Sequence, residues 1–133
     1  MKIEERIEIA RPPEDVYALV ADLERGPEWQ PSLVRVDVER GTEVRRIAGQ
    51  EREASFDVTR NEAPRLFEIV SHARPVRAWA TFELEPVGTG TRVRLSLFLE
   101  LSGPLRFAGR MIRGRAEQEA QENLERLKAL LEA

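Results

Sequence analysis

Glu119 and Asn123 stand one helical turn apart near the centre of an otherwise apolar stripe in the last segment of the chain. A carboxylate and a carboxamide at that spacing need partners or water when buried, so together they could fix the polar end of an apolar ligand. A desolvated Glu119 would also suit general acid or base work. The competing reading pairs Glu119 with Arg115 one turn earlier and leaves Asn123 to bond to sheet backbone. Tyr17 flanks the apolar stripe of the first helix, where its ring packs in the core or its hydroxyl meets a ligand. Trp29, held between Pro27 and Pro31, reads equally as a lid or as an aromatic plug anchoring its loop. Ser71 shares a strand face with Ile69 and is a polar candidate of lower rank. Its neighbour His72 must point to the opposite face of a strand, so the two form no nucleophile–base pair. His72 therefore reads as an exposed histidine at a strand end, with an acid–base role at a rim as the alternative. Gly88-Thr89-Gly90 lacks the third glycine and following helix of a dinucleotide fingerprint, and there is no GxxxxGK[ST].

Composition narrows the chemistry further. With no cysteine and one histidine, thiolate nucleophiles, disulfides, structural zinc and multi-histidine metal sites are excluded, and no cofactor is expected. There are 24 acids against 21 bases, a net charge of −3, so the broad basic footprint of nucleic-acid binding is missing and no nucleic-acid partner is expected. Lys2 and Lys128 are the only lysines, and arginine supplies the other bases. No uncharged run is longer than Val16 to Ala21, far short of the about 20 apolar residues of a spanning helix or the ~7 of a signal h-region. A soluble, cytoplasmic protein is expected. A length of 133 residues fits a single domain.

The elements that must position these residues are legible from periodicity. Ile3, Ile7 and Ile9 recur with period two among charges, and Pro12-Pro13-Glu14-Asp15 then opens a helix with proline and dipole-favoured acids in its first turn. That helix runs from Pro13 to about Ala21 and carries Val16, Leu19 and Val20 on one side. Arg25-Gly26-Pro27 breaks it, with room for a short second helical turn. Strands follow from Leu33, with Val34, Val36 and Val38 alternating against Arg35, Asp37 and Glu39, and then over Val44 to Ala48, Arg52 to Arg60, Arg65 to Ser71, Val76 to Glu85 and Thr91 to Leu101. With Gly88-Thr89 as a two-residue turn, Leu84 faces Val93, Phe82 faces Leu95, Ala80 faces Leu97 and Ala78 faces Leu99, an apolar face throughout. The opposite face sets Trp79 against Phe98, an aromatic pair that reads as a homodimer contact or as a pair covered by arginine side chains. After Ser102-Gly103-Pro104 the period changes to 3.6, predicting one helix of nearly thirty residues to the chain end. Its apolar face would hold Leu105, Ala108, Ile112, Ala116, Ala120, Leu124, Leu127, Leu130 and Leu131. Arg106, Arg110 and Arg113 form a stripe near its start, read as a salt-bridged face or as an attractor of an anionic ligand, headgroup or acidic partner. The order β, α, antiparallel strands, long α is an α+β arrangement.

In Pro12-Pro13-Glu14-Asp15-Val16-Tyr17, Trp29 with Pro31, Gly90-Thr91-Arg92-Val93 and the closing Asn123-Leu124-xx-Leu127-xx-Leu130, the whole chain resembles the START and pollen-allergen-like superfamily, also called SRPBCC or polyketide cyclase/dehydrase-like proteins. The resemblance implies the helix-grip fold: a curved antiparallel sheet wrapped around a long terminal helix, enclosing an apolar cavity for lipids, polyketides, hormones or quinones. It implies no shared catalytic motif, and where many relatives carry a histidine this chain has Gln30. The cavity it implies would be lined by Phe56, Val58, Ile69, Ala80, Phe82, Leu95, Leu97, Ile112 and Ala116, with Tyr17, Trp29, Ser71, Glu119 and Asn123 as further ligand contacts. Three functions follow as expectations: binding of a hydrophobic small molecule, which the scarcity of catalytic residue types favours; a polyketide cyclase/dehydrase-type reaction with Glu119 moving a proton; and an interaction module for a protein or membrane.

Overall fold

A computed structural model describes residues 1–47 and 49–133. Its elements follow the expected order: β1 (Lys2–Ile9), α1 (Pro13–Val20), a 3-10 turn (Leu23–Glu28), β2 (Leu33–Asp37), β3 (Thr42–Ile47), β4 (Gln50–Glu62), β5 (Leu66–Ala73), β6 (Val76–Val87), β7 (Gly90–Leu101), a second 3-10 turn (Gly103–Phe107) and α2 (Gly109–Glu132). The expected end of β3 at Ala48 lies outside the described residues. The seven strands form one antiparallel sheet in the order β1-β7-β6-β5-β4-β3-β2, so the two ends of the strand sequence meet through β1 and β7.

Local chemistry explains these boundaries. Proline at the first turn of α1 needs no amide partner, Glu14 and Asp15 sit at the positive end of the helix dipole, and the Ala21 amide closes the helix on the Tyr17 carbonyl at 2.9 Å. The odd-numbered isoleucines of β1 share the inner face: Ile3 pairs with Leu97 and Ile7 with Val93. The β6–β7 register is the one the two-residue turn demands, including Phe82 opposite Leu95 and Trp79 opposite Phe98. Where β7 starts, the backbones of Gly90 and Ile9 come so close that a Cβ at position 90 would lie 2.5 Å from the Ile9 carbonyl oxygen. The Thr91 hydroxyl, fully buried, donates to the Arg11 carbonyl at 2.7 Å and fixes the β1–α1 corner there.

The terminal segment differs from the expected single helix. It breaks at Ala108, which has φ −104° and ψ 20°, into the 3-10 turn and then α2. Leu105 and Ala108 are three residues apart, a spacing that suits a 3-10 turn as well as an α-helix, so periodicity does not distinguish the two. Gly109 follows the break, and its helix propensity is about 1 kcal/mol below that of alanine. Ala120, Leu124, Leu127 and Leu131 are buried as expected, but Leu130 falls outside the buried stripe.

Helix α2 is tied along β1 by polar contacts. Arg113 donates to the Lys2 carbonyl (2.9 Å), Lys128 to the Glu8 carbonyl (2.6 Å) and Arg11 to the Leu131 carbonyl (2.8 Å). The packed core joins the C-terminal half of α2 to α1 and the sheet through Val16, Leu19, Val20, Phe67, Leu84, Val93, Leu124 and Leu127. The N-terminal half of α2 instead faces an empty space.

Candidate ligand cavity

A cavity of about 560 Å³ lies between the sheet and the N-terminal half of α2. A space of that size falls within the range of small-molecule sites. Alternation in the strands brings Phe56, Ile69, Ala80, Phe82, Leu95 and Leu97 to its wall, and Ile112 and Ala116 face them from α2. Trp29 is buried in the wall, edge-on to Phe82 with ring centroids 5.9 Å apart, as a plug that holds its loop against the sheet. Among the described residues its indole nitrogen has no hydrogen-bond partner. Val20, Phe67 and Ala120 close the packed end, while the exposed Met111 and Ile47 mark where the cavity meets solvent.

Two expected contacts lie elsewhere. Tyr17 is buried, but its ring packs edge-on against Phe67 and its hydroxyl donates to the Leu66 carbonyl (3.0 Å) and the Asn61 carboxamide oxygen, so it acts as a core brace outside the cavity wall. Burial, reinforced by the charge of Glu62, pushes the phenol above its ordinary pKa. Val58 pairs with Ile69 but adjoins the irregularity between Val58 and Arg60, where the strand bends; it is 42% exposed and no part of the wall.

One side of the cavity is polar. Glu43 on β3 is only 4% exposed, and its carboxylate accepts from Ser71 on β5 (3.0 Å) and from Arg45 Nε (2.9 Å). Arg45 also donates to Gln30 Oε1 (3.0 Å) and Ser32 Oγ (3.3 Å), and Ser32 in turn donates to Glu119 on α2. A continuous chain of hydrogen bonds thus runs from Ser71 through Glu43, Arg45 and Ser32 to Glu119, joining sheet, loop and helix. The charged residues of this chain are two carboxylates and one guanidinium. A buried carboxylate is tolerated only when paired in this way. Glu119 therefore lies in the wall as expected, but with Ser32 rather than Arg115 as its partner. Asn123 also reaches the wall, where its buried side-chain oxygen has no partner among the described residues, sheet backbone included. Ser32, Arg115 and Glu119 line a smaller outer pocket of about 240 Å³ as well, so the Ser32–Glu119 contact stands between the cavity and a second recess.

Glu43, Arg45, Ser32 and Gln30 were not among the expected site residues. The apolar Val44 suggests that its charged neighbours face solvent. The regular β3–β4 register instead sets Glu43 opposite Ala54, on the face that carries Phe56, and the β2 register shift lets both Leu33 and Val36 join that side opposite Arg45 and Glu43. Ser71 faces the cavity and His72 does not line it, which removes the pair as catalytic partners; His72 lies within β5, its Nε2 3.6 Å from Asp57. Among the described residues no three His, Cys, Asp or Glu side chains come together as a metal site, and no helix is long and apolar enough to cross a membrane.

Comparison with known proteins fits this architecture. The sequence model described as polyketide cyclase / dehydrase and lipid transport matches residues 1–132. The chain belongs to that family. Its fold is similar to that of a START superfamily protein from Mycobacterium smegmatis (TM-score 0.82, 19% identity, covering 98% of this chain and 97% of that one). It is likewise similar to a conserved protein from Geobacillus kaustophilus (TM-score 0.83, 15% identity, 98% and 95%) and to one from Thermus thermophilus (TM-score 0.71, 24% identity, 98% and 99%). At these identities the likeness is one of fold, the START-type helix grip. A search of curated proteins finds no match to this chain. As a family member, the polyketide cyclase/dehydrase-like chain has the fold of hydrophobic-ligand-binding proteins, with an apolar wall and a polar relay in the lining of one cavity.

Proposed function

We propose that this polyketide cyclase/dehydrase-like protein binds a hydrophobic small molecule, of lipid, polyketide or quinone type, in the cavity between sheet and α2. The observation that carries this reading is the asymmetry of the wall. Phe56, Phe82, Leu95, Leu97 and Ile112 offer apolar surface, while the relay from Ser71 to Glu119 gathers the polar groups on one side. An amphiphile would bury its apolar body against the former and turn a carbonyl or hydroxyl toward Ser32, Glu119 and Asn123. Native mass spectrometry of the purified protein, followed by organic extraction, tests it: a co-purifying apolar compound of defined mass is expected. Failure to retain any such compound, together with no uptake of an apolar fluorescent probe, would overturn the reading.

A second reading is a cyclase- or dehydrase-type reaction with Glu119 as the proton-transfer group. What favours it is that the Glu119 carboxylate reaches the cavity and is held by the Ser32 hydroxyl, an arrangement that fixes its direction. Glu119→Gln should then abolish turnover of a polyketide substrate while leaving the fold intact, and an unchanged rate would remove the residue from the mechanism. Cytoplasmic operation and self-association through Trp79 and Phe98 belong to the same proposal. Those rings meet edge-on at 5.5 Å with the Arg77 guanidinium 5.0 Å above Trp79, and Trp79→Ala should shift the sedimentation profile if that pair is a contact between copies.

A further inference from the structure

Two side chains of the cavity wall carry buried polar atoms with no hydrogen-bond partner among the described residues: the indole nitrogen of Trp29 and the carboxamide oxygen of Asn123. Most buried polar atoms are partnered, and leaving one without is costly. The two atoms are complementary, since an indole nitrogen only donates and a carboxamide oxygen only accepts. The fold also draws their elements together. Trp29 ends the first 3-10 turn, three residues before Ser32, whose hydroxyl donates to Glu119 of α2, and Asn123 follows Glu119 by one helical turn. Asn123 is the last residue of α2 in the wall, about 18 Å along the helix from Met111 at the mouth. Beyond it Leu124 and Leu127 belong to the packed core, and Trp29 is part of that same cluster. The unused donor and acceptor therefore stand toward the packed end, where the leading end of an entering molecule would come to rest.

We infer that Trp29 and Asn123 form a subsite for a neutral hydroxyl group at the deep end of the ligand, its oxygen accepting from the indole and its hydrogen donated to the carboxamide. The inference rests on the cavity reading above and narrows the ligand to an alcohol or a phenol. A ketone, ester or ether oxygen accepts but does not donate, so it would set its lone pairs against the Asn123 oxygen and the nearby Glu119 carboxylate. An ammonium group only donates and would leave the indole unserved. A carboxylate fits worst. The relay holds two carboxylates, Glu43 and Glu119, against the one guanidinium of Arg45, and Asp22 lines the cavity as well, so an anion at this end meets charge of its own sign. The other cations of the wall, Arg46 and Arg115, are exposed. A hydroxyl is also small, and the Asn123 oxygen gives up no bond when its side chain swings to meet it.

The test is displacement of Nile red from the purified protein by decanol, methyl octyl ketone and decanoate. Decanol should displace the probe at a concentration about fivefold below that of either competitor, the worth of one hydrogen bond. In Asn123→Leu its advantage over the ketone should fall below about twofold, while the ketone binds as before and the melting temperature does not drop, because a buried atom without a partner has been removed. A packing role alone would not separate alcohol from ketone. The Trp29 donor is read without altering it. The chain has two tryptophans, Trp29 and Trp79, so Trp79→Phe assigns the two indole N–H resonances, and that of Trp29 should move downfield when decanol binds. Equal affinities for decanol and the ketone, or a Trp29 resonance that decanol leaves in place, overturn the inference, an ordered water then serving both atoms. So does tighter binding of decanoate that Arg115→Ala abolishes, which would put the polar end at the mouth. Nile red that is not taken up at all overturns the cavity reading and this one with it, whereas uptake without discrimination among the three compounds overturns the hydroxyl subsite alone.

Discussion

The Ser32 hydroxyl donates to the Glu119 carboxylate, joining the loop ahead of β2 to the middle of α2 across one side of the cavity. The contact closes the relay that begins at Ser71, and it separates the main cavity from the recess beside Arg115 and Gln118. Ser32→Ala and Glu119→Gln should both retain the fold, and each should weaken binding of the co-purified ligand by about tenfold, the equivalent of one hydrogen bond to a charged group. Isothermal titration with the extracted compound reads this directly; equal affinities in wild type and both variants would place the ligand's polar end elsewhere.

Glu43 and Arg45 should be strongly coupled in stability. Arg45→Met leaves a carboxylate at 4% exposure without its main partner, and a loss of about 3 kcal/mol is expected in urea unfolding. Adding Glu43→Gln removes the stranded charge, so the double variant should recover much of that loss. Strictly additive effects in the double-mutant cycle would show that the pair is solvated in solution.

Tyr17→Phe separates bracing from binding. Removing a hydroxyl that donates to Leu66 and Asn61 should cost about 1 kcal/mol of stability and leave ligand affinity unchanged. A weakened ligand with an unaltered melting temperature would return Tyr17 to the binding site.

The corner between β1 and β7 should tolerate no side chain at position 90. In Gly90→Ala the new Cβ would meet a backbone oxygen at 2.5 Å, and a loss of more than about 2 kcal/mol is expected. Gly26→Ala makes an equally short contact, 2.6 Å, but with the tip of the Leu33 side chain, which can turn aside. Thermal unfolding should rank Gly90→Ala as the more damaging of the two.

Acid should expose the role of Glu68. Its carboxylate accepts from Thr81 (2.6 Å) and Thr59 (2.8 Å), and these bonds, chiefly that from Thr81, hold it below the ordinary glutamate pKa. A lowered folded-state value means stability that is present above the unfolded pKa of about 4.3 and is lost as the pH falls through the folded one. Solvent screening limits the contribution to about 1 kcal/mol. Wild type should therefore be more stable than Glu68→Gln at pH 6, and the gap should close below about pH 4. A gap that stays constant with pH would mean that the threonine bonds do not discriminate the charged form.

How far the sequence discloses this molecule depends on whether parity can be carried along a strand. In β6–β7 the two-residue turn fixes which side chains face inward, and alternation then places Ala80, Phe82, Leu95 and Leu97 correctly. In β3 the regular register with β4 sets Glu43 opposite Ala54, on the face that Phe56 shares, and so brings Glu43 and Arg45 to the cavity with no mark in composition. Val58 keeps the parity of Phe56 and pairs with Ile69, but it stands where the regular register ends before Arg60 and is exposed there. On α1 two turns of periodicity leave the direction of Tyr17 open, and the position of Phe67 decides it. Glu119 and Asn123 were conspicuous because they interrupt an apolar helix face, a signal that survives without knowledge of the sheet.

The division of α2 into a packed half and a half that faces the cavity has a consequence for how the molecule breathes. Leu124, Leu127 and Leu131 are locked among core residues, whereas Ile112 and Ala116 look onto the cavity. Opening the first turns of α2 exposes little surface that was packed to begin with, so it needs only a fraction of the global unfolding free energy. Amide hydrogen exchange along α2 should therefore run as a gradient, fast from Gly109 to Ala116 and slow from Ala120 to Leu131. A bound apolar molecule would flatten that gradient by lending the hollow half a core of its own.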